Sequence, residues 1–291
     1  MSLATILAAF GGGVLGTGFG ALTAFALVGL FGLIGIAIQA AGGGTAWNDF
    51  LTFGPVWAPA MGGFAAGVAG AAYAASKGKL EKGNDIVTPV YSTGSGDALL
   101  VGGVFGVIGH VLVWLLGQVG IAPWTDAVAL VVVLSAIIVR LIWGKLGITG
   151  SCPAGENRYA AVGDNPLMKV VLGAGVGLMS AYLFQVLGAD NGGVLAGFCI
   201  SAVSLLFLQC GFGVPVTHHI TLPAAVAASF AGGSLIWGAI FGLLGVFIGD
   251  FMGCTFNSYG DTHIDPPACT IAVLTTLAII MDRIGVFFSL P

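Results

Sequence analysis

From Met1 to Ala40 the chain carries no charged residue. About 20 helical residues are enough to cross a bilayer, so this run is too long and too apolar for a single surface helix. The pattern recurs along the chain as long apolar runs broken by short polar loops. Charged residues make up 7% of the sequence, against roughly 25% in soluble domains. A water-soluble fold with so little charge would expose large apolar patches. The runs have the length of membrane helices, and none keeps the period-two alternation of a barrel strand. The reading is an all-α polytopic membrane protein. The mean hydropathy of +1.05 agrees with it, as do the 50 glycines, since membrane helices pack closely through small residues.

A short signature repeats: Phe31-Gly-Leu-Ile-Gly35, Phe105-Gly-Val-Ile-Gly109, Val176-Gly-Leu-Met-Ser180 and Phe241-Gly-Leu-Leu-Gly245. Each copy leads to a polar residue, a loop with an aspartate and a second apolar run. Self-similarity of this kind is read before single motifs. It predicts four parallel helical-hairpin repeats, at about 21–76, 98–144, 168–210 and 234–287. These supply eight core spans in a single transmembrane domain, residues 1–291. Two apolar segments stand outside the pattern, 1–20 and 211–233, and both are expected as short or re-entrant helices.

Charge predicts the orientation. Lys77, Lys79 and Lys82 follow the first repeat; Arg140, Lys145, Arg158 and Lys169 flank or occupy the next long link; Arg283 lies near the end. The positive-inside rule makes the basic linkers 77–97 and 145–168 and the C-terminus cytoplasmic, in a bacterial or archaeal cell membrane. The hairpin loops, with Asp49, Asp126, Asp190 and Asp261 and no Lys or Arg, then face outward. A ring of these carboxylates at an outer mouth would concentrate cations; ordinary loop solvation is the other reading. Arg140 is expected to snorkel to the surface.

Polar residues inside apolar segments mark candidate pathway positions. His218 and His219 lie between two prolines in Val214-Pro-Val-Thr-His-His-Ile-Thr-Leu-Pro223, where broken backbone is tolerated only against protein or a wet cavity. His263 and Asp265 lie in Asp261-Thr-His-Ile-Asp-Pro-Pro-Ala268, with Asp265 placed to cap a helix that opens on proline. The orientation puts His219 inside and His263 outside, so the two motifs form either separate gates or, if both dip inward, one site. Asp250 ends an apolar run where other repeats carry Gln39, Gln118 and Gln185. It is either an uncompensated carboxylate able to exchange protons or a hydrated interface residue. His110 is expected to hydrogen-bond between helices. The five cysteines show no CxxC pair. Cys254, His263 and Cys269 are the one set with metal-ligand chemistry, and helix packing accounts for the thiols as well.

The stretch from Phe31 to about Leu116 resembles the membrane subunits of the sodium-pumping tetrahydromethanopterin S-methyltransferase complex. The likeness lies in a Gly/Ala-rich hairpin, a Lys/Glu link and Val87-Thr-Pro-Val-Tyr-Ser-Thr-Gly-Ser-Gly96 opening a glycine-rich helix. It covers under a third of the chain. It implies a multisubunit ion-translocating complex and assigns no residue a role.

No GxxxxGK[ST] phosphate loop, HExxH zinc motif or GxSxG elbow occurs, so the expectation is a non-enzyme without a cofactor. Its partners would be the lipid bilayer, a small ion or solute and a homo-oligomer or membrane complex. Nothing points to nucleic acid. The function expected is a cation-coupled transporter or channel with its pathway between repeats. A non-transporting membrane scaffold is the alternative, and a membrane enzyme with a His/Asp or metal site comes third.

Overall fold

The computed structural model describes residues 1–287. No β-strand occurs among them, and the apolar runs form helices: α1 Leu3–Phe19, α2 Ala21–Ala40, α3 Phe64–Ser76, α4 Gly96–Gln118, α5 Ala127–Trp143, α6 Ala160–Gly163, α7 Pro166–Leu187, α8 Gly193–Gln209, α9 His218–Phe230, α10 Leu235–Met252 and α11 Pro266–Arg283. Local chemistry sets their ends. Ser2 opens α1 with a reciprocal capping box, Asp126 and Asp265 cap α5 and α11, and α7 and α11 begin on proline. Five segments are long and apolar enough to cross a membrane: α2, α4, α7, α10 with its π-helical extension to Asn257, and α11. The all-helical membrane reading stands on these.

The helices do not pair as four hairpins. The main partner of α1 is α4, and the main partner of α7 is α10. Both pairs run antiparallel. Thr5 is level with His110, Ala9 with Gly106 and Thr17 with Gly102. In the same way Lys169 is level with Asp250, Gly173 with Gly242 and Gly177 with Gly238. A Cβ on Gly106 would strike the Ala9 carbonyl, and one on Gly242 the Gly173 carbonyl, so glycine permits both approaches. Next, α3 packs on α1, α4 and α5, as α9 packs on α7, α10 and α11. Helices α1–α5 and α7–α11 are therefore two five-helix units with one plan, joined by a link that holds α6.

The remaining contacts give the relation between the units. Equivalent helices α2 and α8 touch each other: Gly29 abuts Ala202, Gly32 abuts Cys199, and Gly192 at the start of α8 abuts Gln39 at the end of α2. They run antiparallel. So do α5 and α11, where Thr125 donates to the Ala272 carbonyl at 3.2 Å and Arg140 to Thr262 Oγ1 at 2.6 Å. Equivalent helices that cross antiparallel require a two-fold axis perpendicular to them; an axis along the bundle would leave them parallel. An odd number of helices per unit gives this inversion. The four-hairpin expectation is corrected accordingly. Phe-Gly-x-x-Gly is a close-approach signature that any tightly packed apolar helix converges on. Its copies at Phe105 and Phe241 lie on equivalent helices, α4 and α10, whereas those at Phe31 and Val176 lie on α2 and α7, which are not equivalent.

The expected side changes for Asp261 and Arg283. Segment 1–20 holds the unbroken helix α1, whereas 211–233 is irregular backbone followed by the short helix α9. The first unit has a matching break, since residues 53–63 precede the short helix α3. Counting α9 as a passage moves the loops after it to the other end of the bundle. Asp261 thus lies with the basic linkers, 3.8 Å from Arg140 Nε and accepting the Lys145 amide at 2.6 Å. Gly260 nearby takes a hydrogen bond from Asn84 of the first linker. Arg283 lies at the opposite end, its guanidinium 3.7 Å over the Trp124 ring. The extreme C-terminus, assigned to the linker side above, lies outside the described residues, but α11 ends on the other side.

Candidate functional site

A cavity of about 760 Å³ lies between the two units. Among the helix beginnings that reach it are Phe64 of α3, Asp126 of α5, His218 and His219 of α9, and Asp265 of α11. Its walls are mostly apolar, with Phe25 from α2 and Phe198 from α8 among them. The broken segments before α3 and α9 explain the convergence, because each short helix starts inside the bundle rather than at its surface.

The two units contribute equivalent positions with different chemistry. Asp126 Oδ1 accepts the Ala129 amide at 2.8 Å, and Asp265 Oδ2 accepts the Ala268 amide at 2.7 Å. Gly109 of α4 abuts the Ala60 carbonyl, and Gly245 of α10 abuts the His219 carbonyl. Ala60 is therefore the counterpart of His219, and Pro59 that of His218. Trp124 and His263 each stand two residues before the capping aspartate. The second unit thus carries three imidazoles where the first carries Pro, Ala and Trp.

The imidazoles are held tightly. His218, His219 and His263 are 4%, 8% and 5% exposed. The His218 ring packs 4.5 Å from Phe25 and 5.9 Å from Phe198, and stands edge-on to His219 at 5.8 Å. His263 packs 5.3 Å from Phe64, with its Nε2 3.2 Å from Asp265 Oδ1. His219 rests against Gly249, where a Cβ would come within 2.5 Å of Nε2. Nδ1 of His218 and of His219 has no hydrogen-bond partner. Buried polar atoms rarely stay unpaired, and each such case calls for an explanation.

The structure brings together His218, His219, His263 and Asp265, which the expected orientation had separated. The separation failed because it followed from the hairpin count. Asp250 also borders the cavity, but it is not uncompensated: its Oδ2 is 2.5 Å from Lys169 Nζ. That ammonium also meets the carbonyls of Ala161 and Val162. The ring of outer aspartates does not form. Asp49 is exposed and takes the Thr45 hydroxyl, Asp190 is exposed in a loop, Asp126 faces the cavity, and Asp261 is at the other end. Among the described residues no group of three or more His, Cys, Asp or Glu is placed to hold a metal, so Cys254, His263 and Cys269 do not form a set.

Arg140 was misjudged as a snorkelling residue. It is 2% exposed. It donates to Thr262 Oγ1 and to the carbonyls of Thr262, Gly147, Ile148 and Phe256, so it anchors the segment that carries His263 and Asp265. Its place well before the polar link, inside an apolar run, was the available signal. His110 does bridge helices, with Nε2 3.0 Å from Thr5 Oγ1.

Residues 1–156 and 165–290 match a family described as Family of unknown function (DUF7973). The chain belongs to that family. The two matched stretches correspond to the two five-helix units, and the gap between them falls in the link that holds α6. No curated protein and no solved structure matches the chain.

Proposed function

We propose that the chain is a membrane transport protein whose pathway for a small solute runs through the cavity between the inverted units, with protons as the coupling cation. One observation carries the reading: short helices from both units begin at a shared cavity bordered by the buried imidazoles of His218, His219 and His263. Transporters built from inverted repeats place their binding sites at the repeat interface, beside helices broken within the membrane. Rocking of one unit against the other then exposes the same site to each side in turn. His218, His219 and the His263–Asp265 pair are the pathway groups able to hold or pass a proton. The Lys169–Asp250 pair closes the linker end of the cavity in this state. With Lys77, Lys79, Lys82, Lys145 and Arg158 at the linker end, the positive-inside rule makes that end cytoplasmic.

The test needs no knowledge of the solute. In a cysteine-free background, Ile271→Cys puts a thiol on the cavity wall. A membrane-impermeant thiol reagent is predicted to modify it when applied from either face of sealed vesicles. Modification from neither face, or from one face alone under all conditions, contradicts a two-sided pathway.

A further inference from the structure

The proposed pathway leaves the class of solute open, and the charges on the cavity wall narrow it. Three aspartates border the space, and two of them are matched by a basic side chain. Asp250 is paired with Lys169, and Asp265 lies against His263. Asp126 has no such match. Its Oδ1 accepts the Ala129 amide at 2.8 Å, and among the described residues no basic side chain pairs with the carboxylate. The place that holds His263 in the second unit holds Trp124 in the first. Arg283, at the same end, engages the Trp124 ring and the Pro123 carbonyl instead. A carboxylate on an apolar wall is costly without a compensating charge. An anion finds no free positive group. Among the described residues Lys169 is the one lysine or arginine on the wall, and Asp250 and the carbonyls of Ala161 and Val162 already hold it.

The surroundings of Asp126 select the kind of cation. Val128, Ala129 and Val132 follow it along the wall, and α11 adds Ile271, next to the Ala272 carbonyl that takes the Thr125 hydroxyl. A cavity of about 760 Å³ is within the range that encloses whole small molecules, and such sites combine apolar walls with a few polar groups. A metal ion needs several oxygen ligands in place of its water shell, which one carboxylate does not supply. An alkylammonium needs one carboxylate and buries its carbon body. We infer that the cavity takes an organic amine cation with an apolar body. The ammonium seats against Asp126 at the start of α5, and the body lies along Ala129, Val132 and Ile271. The inference rests on the transport reading for the meaning of the site, but it concerns binding and is tested by binding. The asymmetry of the units gives the solute a direction in the cavity. Its charged end belongs to the first unit, because His263 already matches Asp265 in the second.

The full-length chain in detergent is titrated calorimetrically with three probes that share one body: 4-phenylbutylamine, 4-phenylbutanol and 4-phenylbutyrate. The expected result is saturable binding of the amine, at least tenfold tighter than either other probe. This preference is read on the parent chain and needs no variant. Asp126→Asn removes the charge and keeps an acceptor for the Ala129 amide. It is expected to weaken amine binding at least tenfold and to leave alcohol binding unchanged. Asp190→Asn, in an exposed loop, should leave amine binding as it is in the parent. Alcohol or carboxylate binding as tight as or tighter than amine binding overturns the inference and leaves the pathway standing. So does amine binding indifferent to Asp126→Asn, or weakened equally by Asp190→Asn. The same holds if no probe binds while Ile271→Cys is still modified from both faces. If no probe binds and position 271 is closed to both faces, the inference and the transport reading fall together.

Discussion

Asp126 and Asp265 hold equivalent places in the two inverted units. Each caps a helix by accepting the amide three residues on, at 2.8 and 2.7 Å, and each borders the same cavity. They differ in one respect: Asp265 also meets His263, whereas the residue at the matching place before Asp126 is Trp124. Replacing a capping aspartate by alanine costs about 0.5–2 kcal/mol. Asp126→Ala is therefore predicted to lower the thermal midpoint, and Asp126→Asn, which keeps an acceptor, to stay near the parent. Scanning fluorimetry of the purified variants in detergent checks this. Equal midpoints for the two would show that the cap contributes nothing.

The helix pairs α1–α4 and α7–α10 depend on glycine at matched levels. Gly106→Ala forces a methyl into the Ala9 carbonyl, and Gly242→Ala forces one into the Gly173 carbonyl. Overpacking of this kind costs typically about 1–3 kcal/mol. Both variants should lose stability by similar amounts, because the two sites are counterparts. Gly117→Ala, with nothing within 4 Å, should be neutral or slightly stabilising, since alanine is the better helix former. Tolerance at Gly106 with a large loss at Gly242 would contradict the common plan.

Arg140 satisfies five acceptors around the segment that bears His263 and Asp265. Breaking a buried charged network by removing one partner costs about 3–5 kcal/mol. Arg140→Met should prevent accumulation of folded protein. Arg140→Lys should be only a partial rescue, because an ammonium has three donors and lacks the planar fork. Full recovery by lysine, measured as monodisperse yield by size-exclusion chromatography, would mean that charge alone is needed.

The Lys169–Asp250 pair is predicted to matter for gating more than for stability. Its aspartate is about one-third exposed, at 35%, and solvent-screened pairs contribute little to folding. Lys169→Met should raise the rate at which Ile271→Cys is modified from the linker end and leave the thermal midpoint within a few degrees of the parent. The exchanged pair Lys169→Asp with Asp250→Lys should restore the slow rate. No change in rate in either variant would remove the pair from the closure.

Much of the class was legible in the residues, and much of the architecture was not. The near absence of charge identifies a helical membrane protein, and the prolines around His218-His219 mark a broken segment that the structure contains. The site histidines stood out because imidazoles are rare in apolar runs. The repeat was misread because Phe-Gly-x-x-Gly reports close approach and not register, so Phe31 and Val176 looked like copies of Phe105. The inversion itself is written in pairs such as Ala60 and His219, which share a place but not a chemistry. Only the contacts of Gly109 and Gly245 reveal them. Asp261 was placed at the wrong end because a single miscounted passage reverses every later loop.

The inversion is tested most directly by the side of the membrane on which Asp261 lies. Single cysteines at Lys79, Asp261 and Gly44 are introduced into a cysteine-free chain and exposed, in sealed vesicles of known orientation, to a thiol reagent that cannot cross lipid. Two inverted five-helix units predict that positions 79 and 261 react from one face and position 44 from the other. Reaction of position 261 together with position 44, opposite to 79, would contradict the inversion and the shared cavity built on it.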